Sequence, residues 1–189
     1  MHAFTRRQFI AIAAIATTAL PGCAASQGQA VPEEPEGPAE KSVGDVLPVS
    51  TKKGDVNVTV DGFDISQKLT TWFHDNTHDL DADHAIGVLE LTLENVSYES
   101  KSLVSNKLGD CVDLDDVLRV KDGDGVSLDP MSTGLDYGDY ESSAGGIIEC
   151  DQGEKVRVAV CYSVDPSLSS VDVATVDGSA TVHVDITQA

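Results

Sequence analysis

An all-β fold, an antiparallel β-sandwich standing behind an export leader and a disordered linker, is what this chain of 189 residues predicts. Three observations carry that expectation. From Val43 onward apolar residues alternate with polar ones at a period of two, turn signals separate the runs, and no stretch shows a convincing helical stripe. Successive side chains of a strand point to opposite faces, so such alternation marks ribbons with one face turned to a core and the other to water.

The elements follow in chain order. Met1 to Gln8 is short and basic, and Thr5-Arg6-Arg7-Gln8-Phe9 leads into an apolar run from Phe9 to Leu20. As a helix that run measures about 18 Å at ~1.5 Å per residue, too short for a hydrocarbon core of about 30 Å, so it reads as an export signal and not as a membrane span. Arg6 and Arg7 followed by Phe9 resemble the twin-arginine signal, which exports folded proteins; an ordinary secretory signal that happens to hold two arginines is the alternative. Leu20-Pro21-Gly22-Cys23 resembles a bacterial lipobox, in which the cysteine thiol, a soft nucleophile, receives a diacylglyceryl group and becomes the new N-terminus. Pro21 departs from the usual small residue there. Cleavage after Ala25, giving a freely secreted product, is the competing reading. The expected domains are therefore a signal peptide at 1–22, a lipidated N-terminus and linker at 23–42, and the sandwich at 43–187. The expected place is the extracytoplasmic face of the cell membrane, held there by acyl chains.

Ala24 to Ser42 holds Pro32, Pro35 and Pro38 among Glu33, Glu34, Glu36 and Glu40, a composition that stays extended and buries little. Beyond it the strands are read directly. Val56, Val58 and Val60 form the first, Leu89, Leu91 and Leu93 the next. Leu118 and Val120 turn through Asp122-Gly123-Asp124-Gly125 to Val126 and Leu128. Val156, Val158, Val160, Tyr162 and Val164 form the longest alternation, and Val171 and Val173 return through Asp177-Gly178 to Val182, Val184 and Ile186.

Val43-Gly44-Asp45, Leu89 to Ser97, Leu118 to Gly125 and Gln152-Gly153-Glu154-Lys155-Val156 together resemble a bacterial family by their order and spacing. It is the immunoglobulin-like domain of unknown function found on lipoproteins, related to a secreted immunoprotective antigen of mycobacteria. The resemblance implies an extracytoplasmic immunoglobulin-like sandwich and supplies no catalytic residues. Two segments, Thr70 to Ala85 and Asp129 to Ala144, look longer than the family pattern, and insertions are where a grafted function sits.

Charge and motifs narrow the function. Arg6 and Arg7 are two of the 12 basic residues and no acid precedes Cys23, so the chain from Cys23 onward carries 10 basic against 32 acidic residues, a formal −22. Such a surface repels phosphate backbones and excludes nucleic acid as a partner. HExxH, CxxC, GxSxG, GxGxxG and P-loop patterns are absent, so no enzyme is expected. The expectation is a binding or interaction module for an envelope protein, a host protein or a glycan.

The alternative is calcium, held in the acidic loop 75–90. Asp79, Asp81 and Asp83 fall at the first, third and fifth positions of a calcium-loop pattern and Glu90 at the twelfth, although His84 stands where that loop needs glycine. His74, His78 and His84 are the residues a zinc site would use instead. Acidic solvated loop and surface histidines are the plain readings. Trp72 reads as a core or edge plug, or else as a platform for a ligand. Tyr137 and Tyr140 have the composition of adaptable binding loops, and of ordinary exposed ones. Three cysteines remain after Cys23; Cys111 and Cys150, both near sheet ends, are the expected bridge, with Cys161 spare and covered by a neighbouring element.

Overall fold

The structure, a computed structural model, describes residues 37–76, 80–104, 107–132, 137–143 and 145–186, all within the unit Pro35–Ala189. The leader, with Arg6, Arg7 and Cys23, and also His78 and Asp79, lie outside the described residues.

In chain order the strands are β1 (Ala39–Lys41), β2 (Val46–Thr51) and β3 (Gly54–Ile65), followed by the helix α1 (Gln67–Asn76). Next come β4 (Ala85–Asn95), β5 (Lys101–Val104) and β6 (Lys107–Asp113), then a single 3₁₀ turn at Leu114–Asp116. Then follow β7 (Leu118–Asp122), β8 (Ser127–Leu128), β9 (Glu141–Ser142) and β10 (Ile147–Glu149). The chain closes with β11 (Lys155–Val164), β12 (Ser170–Thr175) and β13 (Ala180–Asp185).

Two five-stranded sheets, β1-β13-β12-β7-β8 and β2-β3-β4-β11-β9, pack as a sandwich, with a small sheet β10-β6-β5 beside them. The pairings are antiparallel except for β1 on β13 and β9 on β11. The all-β antiparallel reading therefore holds. One core joins the inward faces of both large sheets, Val56, Val58, Leu91, Leu93, Val158 and Val160 from one, Val120, Val171, Val173 and Val182 from the other. These are the valines and leucines whose alternation marks the strands in the sequence, and their removal from water drives the two sheets together.

The structure departs from the sequence reading in four places. The sheet begins at β1, inside the stretch 23–42 assigned to the linker; Ala39 N–H donates to the Ser179 carbonyl at 3.0 Å, and a short edge pairing of this kind leaves no apolar signature. β2 carries Pro48, which masks the Leu47/Val49 alternation yet is tolerated because this is an edge strand. Val126 belongs to the turn and not to the returning strand: the Asp122 carboxylate accepts from the N–H groups of Asp124 (3.0 Å) and Val126 (2.7 Å), so the Val126 side chain is left 60% exposed.

The fourth departure is α1, a helix where no helical stripe was expected. Ser66 caps it, its hydroxyl accepting from Leu69 N–H at 3.2 Å. Leu69 and Phe73, one turn apart, face a second apolar cluster on the outer side of β4 and β11, made of Phe73, Leu80, Ile86, Val88, Ala159 and Cys161. The sheet is thus covered on both faces along part of its length. Cys161 is the residue the sequence leaves on the face opposite the valines, and it is buried there beneath this cover. Among the described residues no helix is long and apolar enough to cross a membrane.

Candidate functional site

The first insertion supplies α1 and the acidic turn that follows it. Thr70 sews the helix to the sheet, its hydroxyl donating to the Ser66 carbonyl at 2.9 Å and accepting from Ile86 N–H at 3.0 Å. From this base the chain returns through a turn in which His84 N–H donates to the Asp81 carbonyl at 2.9 Å. That turn gathers Asp81, Asp83 and His84, whose ligand atoms lie within 4.8 Å of one another. The His84 Nδ1 stands 3.2 Å from Asp83 and 3.9 Å from Asp81, and both aspartates are exposed. Two of the predicted calcium residues are therefore together; Asp79 lies outside the described residues.

Glu90 does not join them. It sits within β4, five residues beyond Ala85, so at about 3.3 Å per residue it stands roughly 16 Å farther along the strand. A calcium loop brings its twelfth residue back by entering a helix, whereas an extended strand carries it away. Glu90 instead receives the Tyr140 hydroxyl at 2.8 Å. Of the histidines a zinc site would use instead, His74 is exposed in the last turn of α1 and is not grouped with His84 among the described residues, and His78 lies outside them.

The second insertion is pinned to the outer face of the sheet by its tyrosines. The Arg157 guanidinium lies over the Tyr140 ring at 4.1 Å and donates to its hydroxyl at 2.5 Å, and the Tyr137 hydroxyl donates to Asp64 at 3.4 Å. Burial first, then the Glu90 and Asp64 charges, push the Tyr137 phenol up to about 12. These side chains hold the loop in place, with Tyr137 and Tyr140 packed on the second cluster. Trp72, expected to plug the core or an edge, is instead 44% exposed and meets Phe73 edge-on at 5.5 Å. Phe73 takes the buried position because it follows Leu69 by one turn, which turns its neighbour Trp72 outward.

Among the described residues Cys111, Cys150 and Cys161 are free, buried thiols. The expected Cys111–Cys150 bridge is not formed, and the strand register gives the reason. Cys111 lies opposite Glu149, so Cys150, one residue on, directs its side chain to the other face; Val112, Ile148 and Cys150 enter the main core and Cys111 does not. Burial raises all three thiols, Cys150 and Cys161 to about 11. They stay protonated at neutral pH and are poor nucleophiles.

At the corner between β4 and β5 the buried polar groups are satisfied. Asn95 is fully buried; its amide donates to the carbonyls of Tyr98 (3.1 Å) and Cys150 (2.9 Å) and accepts from Tyr98 N–H (2.8 Å). The Tyr98 hydroxyl then donates to Asp116 at 2.7 Å, which Lys53 also reaches at 2.7 Å; the lysine, then the phenol, hold the Asp116 carboxyl below its usual range.

No family model and no curated protein matches the chain. Among solved structures, a chain from Bacillus subtilis subsp. subtilis str. 168 described as "a putative lipoprotein (ycdA)" is similar at 12% identity with a TM-score of 0.40. The alignment covers 74% of this chain and 38% of that one, so this chain spans well under half of its length. The fold itself defines an all-β sandwich protein.

Proposed function

We propose that this chain is an exported lipoprotein, anchored to the extracytoplasmic face of the cell membrane through acyl chains on Cys23, that displays a non-catalytic immunoglobulin-like module for binding another protein or a glycan. The observation that carries this reading is Leu20-Pro21-Gly22-Cys23 at the end of an apolar run too short to span a bilayer, behind Arg6 and Arg7. Two acyl chains give stable anchoring at about 0.8 kcal/mol per buried CH₂. The absence of catalytic motifs and the raised thiols support the non-catalytic part. Mass spectrometry of the membrane-extracted protein tests it. The expected N-terminal peptide begins at Cys23 with a diacylglyceryl adduct, and Cys23→Ser releases the chain from the membrane. A chain recovered with Met1 and an unmodified Cys23 thiol overturns the proposal.

Calcium binding in the loop 75–90 is the second reading, favoured by the grouping of Asp81, Asp83 and His84. Its ligand set must draw on the turn alone, because Glu90 is committed to Tyr140. Thermal unfolding with and without calcium decides it: a ligand at a hundred times its dissociation constant stabilises by about 2.7 kcal/mol, and an unchanged midpoint removes the reading.

A further inference from the structure

Residues 137–143, in the second insertion, cross the outer face of β11, β4 and β3, and the strand register gives their course. Asp64 on β3 lies opposite Val88 on β4, and Val88 lies opposite Cys161 on β11, so these three form one row. Glu90 and Ala159 belong to the next row. The segment holds the edge of β11 as β9, with Glu141 beside Val158 and Ser142 beside Ala159. Inward from that edge the Tyr140 hydroxyl reaches Glu90, and the Tyr137 hydroxyl reaches Asp64 on the far side of β4. Both tyrosines pack on the cluster that contains Val88, Ala159 and Cys161, all three buried.

This cover is fastened less firmly than the sandwich beneath it. The cluster it shields is small and separate from the main core, so its release returns little apolar surface to water. Its polar fastenings are side-chain bonds at a half-exposed rim, Tyr140 to Glu90, Arg157 to Tyr140 and Tyr137 to Asp64, where water competes for every partner. β9 adds a parallel ladder only two residues long, and Ser143 N–H reaches the Ala159 carbonyl at 3.4 Å. Ser143 also works against closure. Among the described residues its Oγ is the buried side-chain polar atom that lacks a hydrogen-bond partner, and release gives it the bond to water that burial withholds.

We propose that residues 137–143 are a strap that lifts off the sheet while the sandwich stays folded, turning Val88, Ala159 and the Cys161 thiol to solvent. Regions with few buried contacts and exposed hydrogen bonds are the ones that open below the cost of global unfolding. The inward side chains of β11, Val158 and Val160, belong to the main core and take no part. The helix α1 keeps its own hold through Thr70, which bonds Ser66 and Ile86. The strap thus switches one strip of sheet between covered and open, with Tyr137 and Tyr140 as its latches and Ser143 as its spring. The inference concerns the sandwich alone and does not depend on lipidation at Cys23 or on calcium.

Alkylation of the full chain by iodoacetamide at fixed pH, read at Cys161 by peptide mass spectrometry, tests the strap. The Cys161 rate is expected to stay nearly flat in low urea, because the slope follows the surface exposed, and to steepen only where the sandwich itself unfolds. Tyr140→Phe removes the hydroxyl shared by Glu90 and Arg157 and speeds the reaction about fivefold or more, the weight of one net hydrogen bond. Ser143→Ala removes the partnerless hydroxyl and slows it about twofold or more. Gly54→Ala, at the opposite end of β3 from Asp64, weakens the closed and strap-open forms alike, so the rate without urea does not change although the urea midpoint falls. The proposal is overturned by a Cys161 rate that follows the slope of global unfolding at every urea concentration, by an unchanged rate in Tyr140→Phe, by an unchanged or faster rate in Ser143→Ala, or by a rise in Gly54→Ala that matches its lost stability.

Discussion

Two buried polar side chains in this sandwich stand in opposite states. Asn95 spends every part of its amide on the backbone of its own corner, tying Tyr98 and Cys150 together through three hydrogen bonds. Ser143, enclosed almost as fully, leaves its hydroxyl oxygen without a hydrogen-bond partner among the described residues. The first is a structural joint, whose loss leaves backbone groups dry and unpaired. The second is spare capacity, a hydroxyl whose burial costs stability and returns none. A fully used polar group and an unused one of the same burial separate stability from availability.

Substitution tests that contrast directly, and the largest effect belongs to the joint. Asn95→Ala orphans the Tyr98 N–H and two carbonyls, so a loss of about 3 kcal/mol or more is expected, seen as a fall of roughly 10 °C in thermal midpoint. A loss below about 1 kcal/mol by urea unfolding would show that water replaces the amide and that the corner is no joint. Next comes Gly54→Ala at the same corner. Gly54 has φ +126°, and a Cβ there would stand 2.2 Å from the Ser97 carbonyl oxygen, so about 2 kcal/mol should be lost. An unchanged unfolding curve would mean that the corner yields.

Ser143→Ala should change stability by less than about 0.5 kcal/mol, or raise it, which is the mirror image of the Asn95 result. Equal losses at the two sites would erase the distinction drawn between them. The smallest effect is expected at a fully exposed group. His183 stands 2.7 Å from Asp172 and 3.4 Å from Asp185, and the hydrogen bond to Asp172, then the two carboxylate charges, raise its pKa. A folded pKa raised above the unfolded one gives stability that is complete below about 6.5 and lost as pH rises through the raised value. The midpoint difference between the parent and His183→Gln should therefore be present at pH 5 and vanish by pH 9. A difference that grows with pH contradicts this linkage.

The strands were legible because burial on one face forces alternation: Val56 to Val60, Leu89 to Leu93 and Val156 to Val164 need no tertiary knowledge to read. Elements with little buried area were not legible. The helix α1 turns only Leu69 and Phe73 inward over its ten residues, and Thr70 and Thr71 weaken its propensity; the cap at Ser66 was the signal that could have found it. That single helix decides that Phe73 is covered and Trp72 is not. Spacing in the sequence also misled where extended backbone carries residues apart. Asp81, Asp83 and His84 share a turn and stay together, whereas Glu90 follows β4 away from them. Cys111 and Cys150 come to adjacent strands yet project to opposite sides.

The parallel ladder of Ala39 to Lys41 against β13 has a mechanical meaning. In a chain held by its amino end, traction arrives first at these residues. A force along the ladder's own axis loads its rungs in shear, all sharing the strain at once, and does not peel them one after another. The stitch at the sheet edge would act as a strain relief between the rope and the body it holds, yielding before the valine interior feels the pull.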